Sequence, residues 1–360
     1  MALYSRLALY PRLAFISPSL VSLALATGLG AETAPLKFAA SGGGPSLYLD
    51  AKSGAKAERA AKADGSGAKV IGGEVASEGA WPWQVALIIG GAPVGTDTQF
   101  CGGSLVMEQW VLTAAHCVHW QGEDGTFADA RPQDVSVLVG TTELIPGKGD
   151  LIRVEAVFKH PSYVGTEFDF DIALIKLARP PMVPYQTIEV PDAEFGDILN
   201  KQGVATIVTG WGLQEGARPS LELRQAEIQI LDRDLCNTAM MEARAEDAAG
   251  GFTYAAQTLG VAEQDAYRIW DELMATAPNP MSENMICSGT FEGGKTSCNG
   301  DSGGPLVVPL DDGGYIQAGI VSWGLTAFAG KGCEATALFS AYTNVSKFVP
   351  WLNEVIVSNP

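Results

Sequence analysis

Apolar residues in this chain recur in short runs broken by Gly, Pro and Asp. Val85-Ala86-Leu87-Ile88-Ile89, Ser104-Leu105-Val106, Trp110-Val111-Leu112-Thr113 and Val135-Ser136-Val137-Leu138-Val139 are examples. Later runs are Ile172 to Leu177, Thr206 to Val208, Pro305 to Val308 and Ile316 to Ser322. Short β-rich runs between turn residues predict strands, and many of them in series predict an all-β sandwich or barrel. Nothing in the body alternates strands with long helices, so an α/β fold is not expected. Pro180, Pro181, Pro184 and Pro191 punctuate the stretch from Arg179 to Pro191, which reads as a crossing between two halves. Val345 to Val357 closes the chain with a helix-like pattern, Ser346 serving as its N-cap.

Three segments depart from this rhythm. Cys236 and Cys287 enclose 50 residues. Within them Glu242 to Ala249 and Val261 to Ala275 read as helices, the second gathering Ala262, Tyr267, Ile269, Trp270 and Leu273 on one apolar side. Residues 32–69 are rich in Ala, Gly, Lys and Ser and bury too little apolar surface to order themselves, the character of a linker or propeptide. At the start, Arg6 and Arg12 precede an apolar stretch from Leu13 to Ala26, and Leu29-Gly30-Ala31 offers small residues for cleavage. This predicts an export signal over residues 1–31. The alternative, a membrane anchor, suits the short, Ser- and Pro-interrupted run less well, and no other segment approaches the ~20 apolar residues of a spanning helix.

Charge narrows the range of partners. The chain carries 23 basic and 41 acidic residues, net −18. Residues 1–69 hold 8 of the basic and 4 of the acidic ones, leaving 15 and 37, net −22, in the remainder. Nucleic acid is excluded as the expected partner, because a phosphate backbone calls for clustered Lys and Arg. A strongly acidic mature domain is also not expected to adhere to anionic membranes. Six cysteines in an exported chain favour bridges over free thiols and allow fifteen pairings in principle. A zinc site is the competing reading, but no close Cys-x-x-Cys pair is present. Thr141 to Asp150 carries only Glu143 and Asp150, too few oxygens for a calcium loop. No metal or cofactor is expected. Asn344-Val345-Ser346 is a glycosylation triplet by pattern alone.

Chemistry concentrates in Thr296-Ser-Cys-Asn-Gly-Asp-Ser-Gly-Gly-Pro305. A Ser between Asp301 and flanking glycines can sit on a tight turn with its hydroxyl exposed and neighbouring N–H groups free for a negative oxygen. Upstream, Thr113-Ala-Ala-His-Cys117 supplies a His, and Asp171-Ile-Ala-Leu174 an Asp that opens an apolar run. With these motifs, in the order His, Asp, Ser, the chain resembles the chymotrypsin/trypsin-like serine protease family from about Val70 to its end.

The resemblance implies two antiparallel six-stranded β-barrels with the active site between them, a C-terminal helix, and a helical insertion in the second barrel. Barrel one would cover about 70–185, barrel two about 186–345 and the helix about 346–357. It selects the pairings Cys101–Cys117, Cys236–Cys287 and Cys298–Cys333. It implies Ser302 as nucleophile, His116 as general base and acid, and Asp171 as the group holding the imidazole, with Asp169 the nearest competitor. The N–H groups of Gly300 and Ser302 would form the oxyanion hole. Ser322 would support Asp171, and Trp323 and Gly324 would pair with substrate backbone. His119 and His160 read as core histidines.

Cleavage after Lys69 would free the amino group of Val70 to pair with Asp301, which requires an activating protease. Thr296, uncharged, stands where the trypsin branch has an Asp, with Gly324 leaving one pocket wall open and Ser340 narrowing the back. The expected preference is for small or medium uncharged residues such as Ala, Val, Leu or Met at the cleaved position. The enlarged loop Leu325 to Gly332, or an acidic group of the insertion, could supply a charge and restore cleavage after Arg or Lys. The loop between Cys236 and Cys287 exceeds the usual length for this family and reads as a surface insertion, an exosite or lid being the functional alternative. The whole then reads as a secreted or periplasmic zymogen acting on proteins and peptides, against the alternative of a non-catalytic protease-like binding domain.

Overall fold

The computed structural model describes residues 38–39, 73–122, 124–214, 218–290, 295–324 and 339–360, and not the side chains of Phe38, Ala39, Ala243, Glu246 and Asp247. The expected signal and most of the propeptide segment, with Lys69, Val70, Cys333 and the loop 325–332, lie outside the described residues.

Twelve strands carry the fold. The first six are β1 (Gln84–Ile89), β2 (Gln99–Met107), β3 (Trp110–Thr113), β4 (Val135–Val139), β5 (Asp150–Lys159) and β6 (Ala173–Leu177). They close antiparallel in the order β1-β2-β3-β6-β5-β4. The second six are β7 (Ala205–Gly210), β8 (Arg224–Ile230), β9 (Met285–Gly289), β10 (Pro305–Pro309), β11 (Tyr315–Gly324) and β12 (Phe339–Asn344). They close in the order β7-β8-β9-β12-β11-β10, with Glu74–Val75 added outside β8. The same path is thus traced twice, and closure leaves neither sheet a long bare edge. This is the two-barrel, all-β architecture expected.

Apolar runs make these strands because each presents branched side chains to a closed interior. Leu87, Leu105, Leu112, Leu138, Ile152 and Leu174 are fully buried in the first barrel, each contributing about 1.5–3 kcal/mol against exposure. Four strands were not marked by the runs: β5, β8, β9 and β12. In β5 the exposed Leu151, Arg153 and Glu155 alternate with buried Asp150, Ile152 and Val154, so its first half carries no long apolar run. Buried hydrogen bonds tie the barrels together. Thr209 donates to Gln84 at 2.6 Å and Ser104 to Gln317 at 2.5 Å. Cys101–Cys117 and Cys236–Cys287 are bonded, with Cα separations of 6.1 and 6.7 Å.

The helices correct three expectations. The first insertion helix, α2 (Arg233–Thr258), is 26 residues long and runs well beyond Glu242–Ala249 at both ends. It follows α1 (Ala193–Leu199) in the inter-barrel crossing. The Asp232 side chain caps α2 by accepting from Leu235 N–H, and Gly250-Gly251 fails to break it. In α3 (Glu263–Thr276) the expected apolar side is only partly used. Trp270 meets Phe252 at 5.1 Å, while Tyr267 and Leu273 are exposed. At the end, residues Val345–Phe348 form a 3-10 turn before α4 (Val349–Ser358). Ser346 is therefore not the N-cap; its buried hydroxyl donates to Asn344 at 2.9 Å.

Candidate active site

Strand β3 ends at Thr113, and beyond Ala114 His116 follows within a 3-10 turn, Ala115–Cys117, held to β2 through Cys101–Cys117. Opposite, Asp171 is fully buried just before β6. Its carboxylate accepts from the His116 backbone N–H at 2.8 Å and bonds His116 Nδ1 at 2.8 Å. Ser322 Oγ of β11 donates to the same carboxylate at 2.5 Å. Thr343 of β12 donates to the Asp171 carbonyl at 2.7 Å, so the second barrel holds an Asp belonging to the first. The preceding Phe170 has φ 57°, a left-handed backbone that is strained for a bulky residue. Its ring stacks on His160 at 5.1 Å and meets Phe348 at 6.0 Å, contacts that hold the strained turn.

Burial of the His116 imidazole pulls its pKa down, but the charge and hydrogen bond of Asp171 outweigh this and leave it above the usual 6.5. Asp169, the competitor, faces elsewhere and accepts from Ser282 and Asn284 at 2.8 Å each. His119 pairs with Asp129 at 2.5 Å on a separate hairpin, and His160 packs among aromatics near the C-terminal helix.

Ser302 reaches this site through its turn. Its carbonyl accepts from Gly102 N–H at 2.7 Å, and Gly303 N–H donates to Val321 at 2.8 Å. Gly303 has φ 79°, and a Cβ there would stand 2.2 Å from Thr113 Oγ1 and 2.6 Å from the Gly102 carbonyl. The Ser302 turn therefore lies directly against the end of β3 that carries His116. Among the described residues the Ser302 hydroxyl and the N–H groups of Gly300 and Ser302 have no hydrogen-bond partner. Two adjacent unpaired donors beside a free hydroxyl are a ready site for a developing oxyanion. Gln99, which sequence reasoning missed, steadies this turn by donating to the Gly300 carbonyl at 2.8 Å and to Cys101 at 3.0 Å.

Asp301 points inward and is buried. It accepts from Gly212 N–H at 2.7 Å and Cys298 N–H at 2.8 Å. No cation faces it among the described residues, and burial pushes its carboxyl up to about 6. Gly210 and Gly212 make room for it, since a Cβ on either would fall within 2.6 Å of the carboxylate.

The expected pocket residues come together as a hydroxyl cluster. Thr296 and Ser340 share a hydrogen bond of 2.7 Å, and Ser297 donates to Ser340 at 2.8 Å. Ser340 pairs with Gly324 across the β11–β12 ladder. Ser297 was missed, although its place between Thr296 and Cys298 was a signal. Beyond Ser322, the Trp323 ring stacks on Phe168 at 5.9 Å, and Phe168 meets His116 edge-on at 5.9 Å. Phe168 carries no motif that would have marked it.

A family model described as Trypsin matches residues 70–352. The chain is 29% identical over 289 residues to transmembrane protease serine 9 of Rattus norvegicus, covering 80% of this chain and 22% of that protein. It is 29% identical over 293 residues to the suppressor of tumorigenicity 14 protein homolog of Bos taurus, covering 80% and 28%. Serine proteinase stubble of Drosophila melanogaster matches at 29% over 291 residues, covering 79% and 31%. The chain thus spans less than a third of the length of these curated relatives. Among the described residues no helix is long and apolar enough to cross a membrane.

Proposed function

The chain belongs to the trypsin family of serine proteases, and we propose that it is an endopeptidase working through His116, Asp171 and Ser302. The observation that carries this reading is the Asp171 carboxylate, bonded at once to His116 Nδ1 and Ser322, next to a turn whose Gly300 and Ser302 N–H groups are unpaired. Bound to Asp171, Nδ1 carries the proton, and Nε2 is left as the base. Ser302 Oγ attacks the substrate carbonyl as its proton passes to Nε2. The oxyanion is held by the two N–H groups. Collapse breaks the C–N bond, His116 returns the proton to the leaving amine, and water then hydrolyses the acyl-enzyme by the same route in reverse.

Activation follows from Asp301. A buried carboxylate with two N–H bonds and no counter-charge among the described residues awaits a cation, and the amino group of Val70, freed by cleavage after Lys69, would supply it. The export signal, residues 1–31, and propeptide, 32–69, fit a secreted or periplasmic zymogen whose protease domain begins at Val70. The hydroxyl cluster of Thr296, Ser297 and Ser340 supports a preference for small or medium uncharged side chains. An Arg or Lys would bring an ammonium or guanidinium charge to a floor that shows no carboxylate among the described residues.

A serine-directed phosphonate tests the reading. It should label the activated chain stoichiometrically and leave Ser302→Ala unlabelled, and the labelled species should begin at Val70. Absence of labelling in an activated, folded chain would overturn the proposed chemistry.

A further inference from the structure

The helical insertion is fixed at its base. Cys236 ties the start of α2 to β9 through Cys287, and Met240 is buried in a cluster that also contains Trp323, Met281 and Met285. From Met240 to Ala249 the helix rises about 14 Å. Beyond that point, from Ala249 to Gln257, it faces α3 across a cavity of about 450 Å³. None of the lining residues belongs to the site around His116.

Helical spacing sets the lining. Ala249, Phe252 and Ala256 share one stripe of α2, and Glu263, Tyr267 and Trp270 share one stripe of α3. Interior seams are ordinarily close-packed, and here the methyl groups of Ala249 and Ala256 leave room beside the rings. Trp270 closes on Phe252, with ring centres 5.1 Å apart and planes tilted by 49°. Tyr267 is 64% exposed, so the cavity opens to solvent beside it, and its hydroxyl stands 3.5 Å from Glu263 Oε1.

Charge decides what such a cavity takes. Three aromatic rings and a carboxylate in one lining attract a cation and repel an anion. Arg268 is shared by Asp265 at 3.5 Å and Glu272 at 3.9 Å. Among the described residues no cation pairs with Glu263. The two helices together carry eight acidic and three basic residues, so the wider field has the same sign. A metal ion would need several oxygens, and the lining offers a single carboxylate. The volume is that of pockets for small organic molecules, and the rings favour an aromatic group on the ligand.

We propose that this cavity is a binding site for a small organic ammonium, an amine on an aryl-bearing chain. The aryl group lies against Phe252 and Trp270, and the charge sits between Tyr267 and Glu263. The inference concerns binding alone and does not depend on the endopeptidase reading.

The test is calorimetric titration of the uncleaved full-length chain carrying Ser302→Ala. Phenylpropylammonium, phenylpropanol and phenylpropionate serve as probes, alike in shape and differing in charge. The amine should bind with a Kd of about 1 mM or tighter, at least about fivefold better than the alcohol, and the carboxylate should not bind. Glu263→Gln should remove most of that margin. Tyr267→Ala, at an exposed position where the fold is not at stake, should weaken the amine. An acetylated lysine amide, which has the charge without the ring, should bind more weakly than the aryl amine; tighter binding would assign the site to a protein side chain and overturn the small-molecule ligand. Equal affinity for amine and alcohol would reduce the site to an apolar cavity, and no heat with the amine would remove it; either overturns the proposal. Amine binding unchanged in both variants would place the ligand elsewhere, in the cleft near Thr296 for example, and overturn it too.

Discussion

Replacing Asp301 by Asn in the uncleaved chain should abolish a specific part of its pH-dependent stability. In the unfolded chain this carboxyl titrates near 3.8, and in the fold it is pushed up to about 6 by burial. The folded state therefore binds more protons between these values. Its stability is full below the lower one and falls as pH rises through the window. At 1.36 kcal/mol per unit the whole loss is about 3 kcal/mol, of which roughly 1.5 kcal/mol falls between pH 5 and pH 8. In Asp301→Asn the amide oxygen can still accept from one of the Gly212 and Cys298 N–H groups, while its NH2 faces the other. That mismatch costs about 1–3 kcal/mol, but equally at both pH values. Titration of His116, raised, and His160, lowered, is common to both proteins and cancels in the comparison. Both chains should carry Ser302→Ala to prevent self-digestion. Equilibrium urea unfolding at pH 5 and pH 8, with disulfides intact, should show the chain that keeps Asp301 losing roughly 1.5 kcal/mol more than the Asp301→Asn variant. Equal losses would refute the unpaired buried charge and, with it, the reason Asp301 has to receive the Val70 amino group.

Three further outcomes are expected. Gly303→Ala should cost at least about 2 kcal/mol in denaturant unfolding, because the added Cβ meets Thr113 Oγ1 at 2.2 Å in a left-handed backbone; a neutral substitution would show that the turn moves freely. The acid limb of the kcat/KM profile should have its midpoint above pH 6.5, since His116 must be neutral to act as base and Asp171 holds its pKa up; a midpoint below pH 6 would contradict this. On matched peptides, Leu or Ala at the cleaved position should exceed Arg by about a hundredfold in kcat/KM, given the uncharged floor at Thr296 and Ser340, and a preference for Arg would reverse the assignment.

The sequence by itself determined the fold class and pointed to His116, Asp171 and Ser302 as the proposed reacting groups. Apolar runs such as Val85 to Ile89 mark strands because closed barrels need continuous branched surface. The motifs around His116, Asp171 and Ser302 are local, since each must build its own turn. Strands such as β5, whose buried positions alternate with exposed Leu151, Arg153 and Glu155, were invisible to that reading. So was the reach of α2, because helix length there is set by the Asp232 cap, the Cys236 anchor and packing on Trp323 rather than by propensity around Gly250. Ser322 was expected to support Asp171, but only the tertiary structure decided that Thr343 of the second barrel also holds this Asp of the first. It alone brought Phe168 and Arg244 to the Trp323 ring and left Asp301 buried without a cation among the described residues. Those facts depend on which surfaces meet when two closed barrels pack, and no periodicity or motif along one strand encodes what its neighbour across the cleft will present.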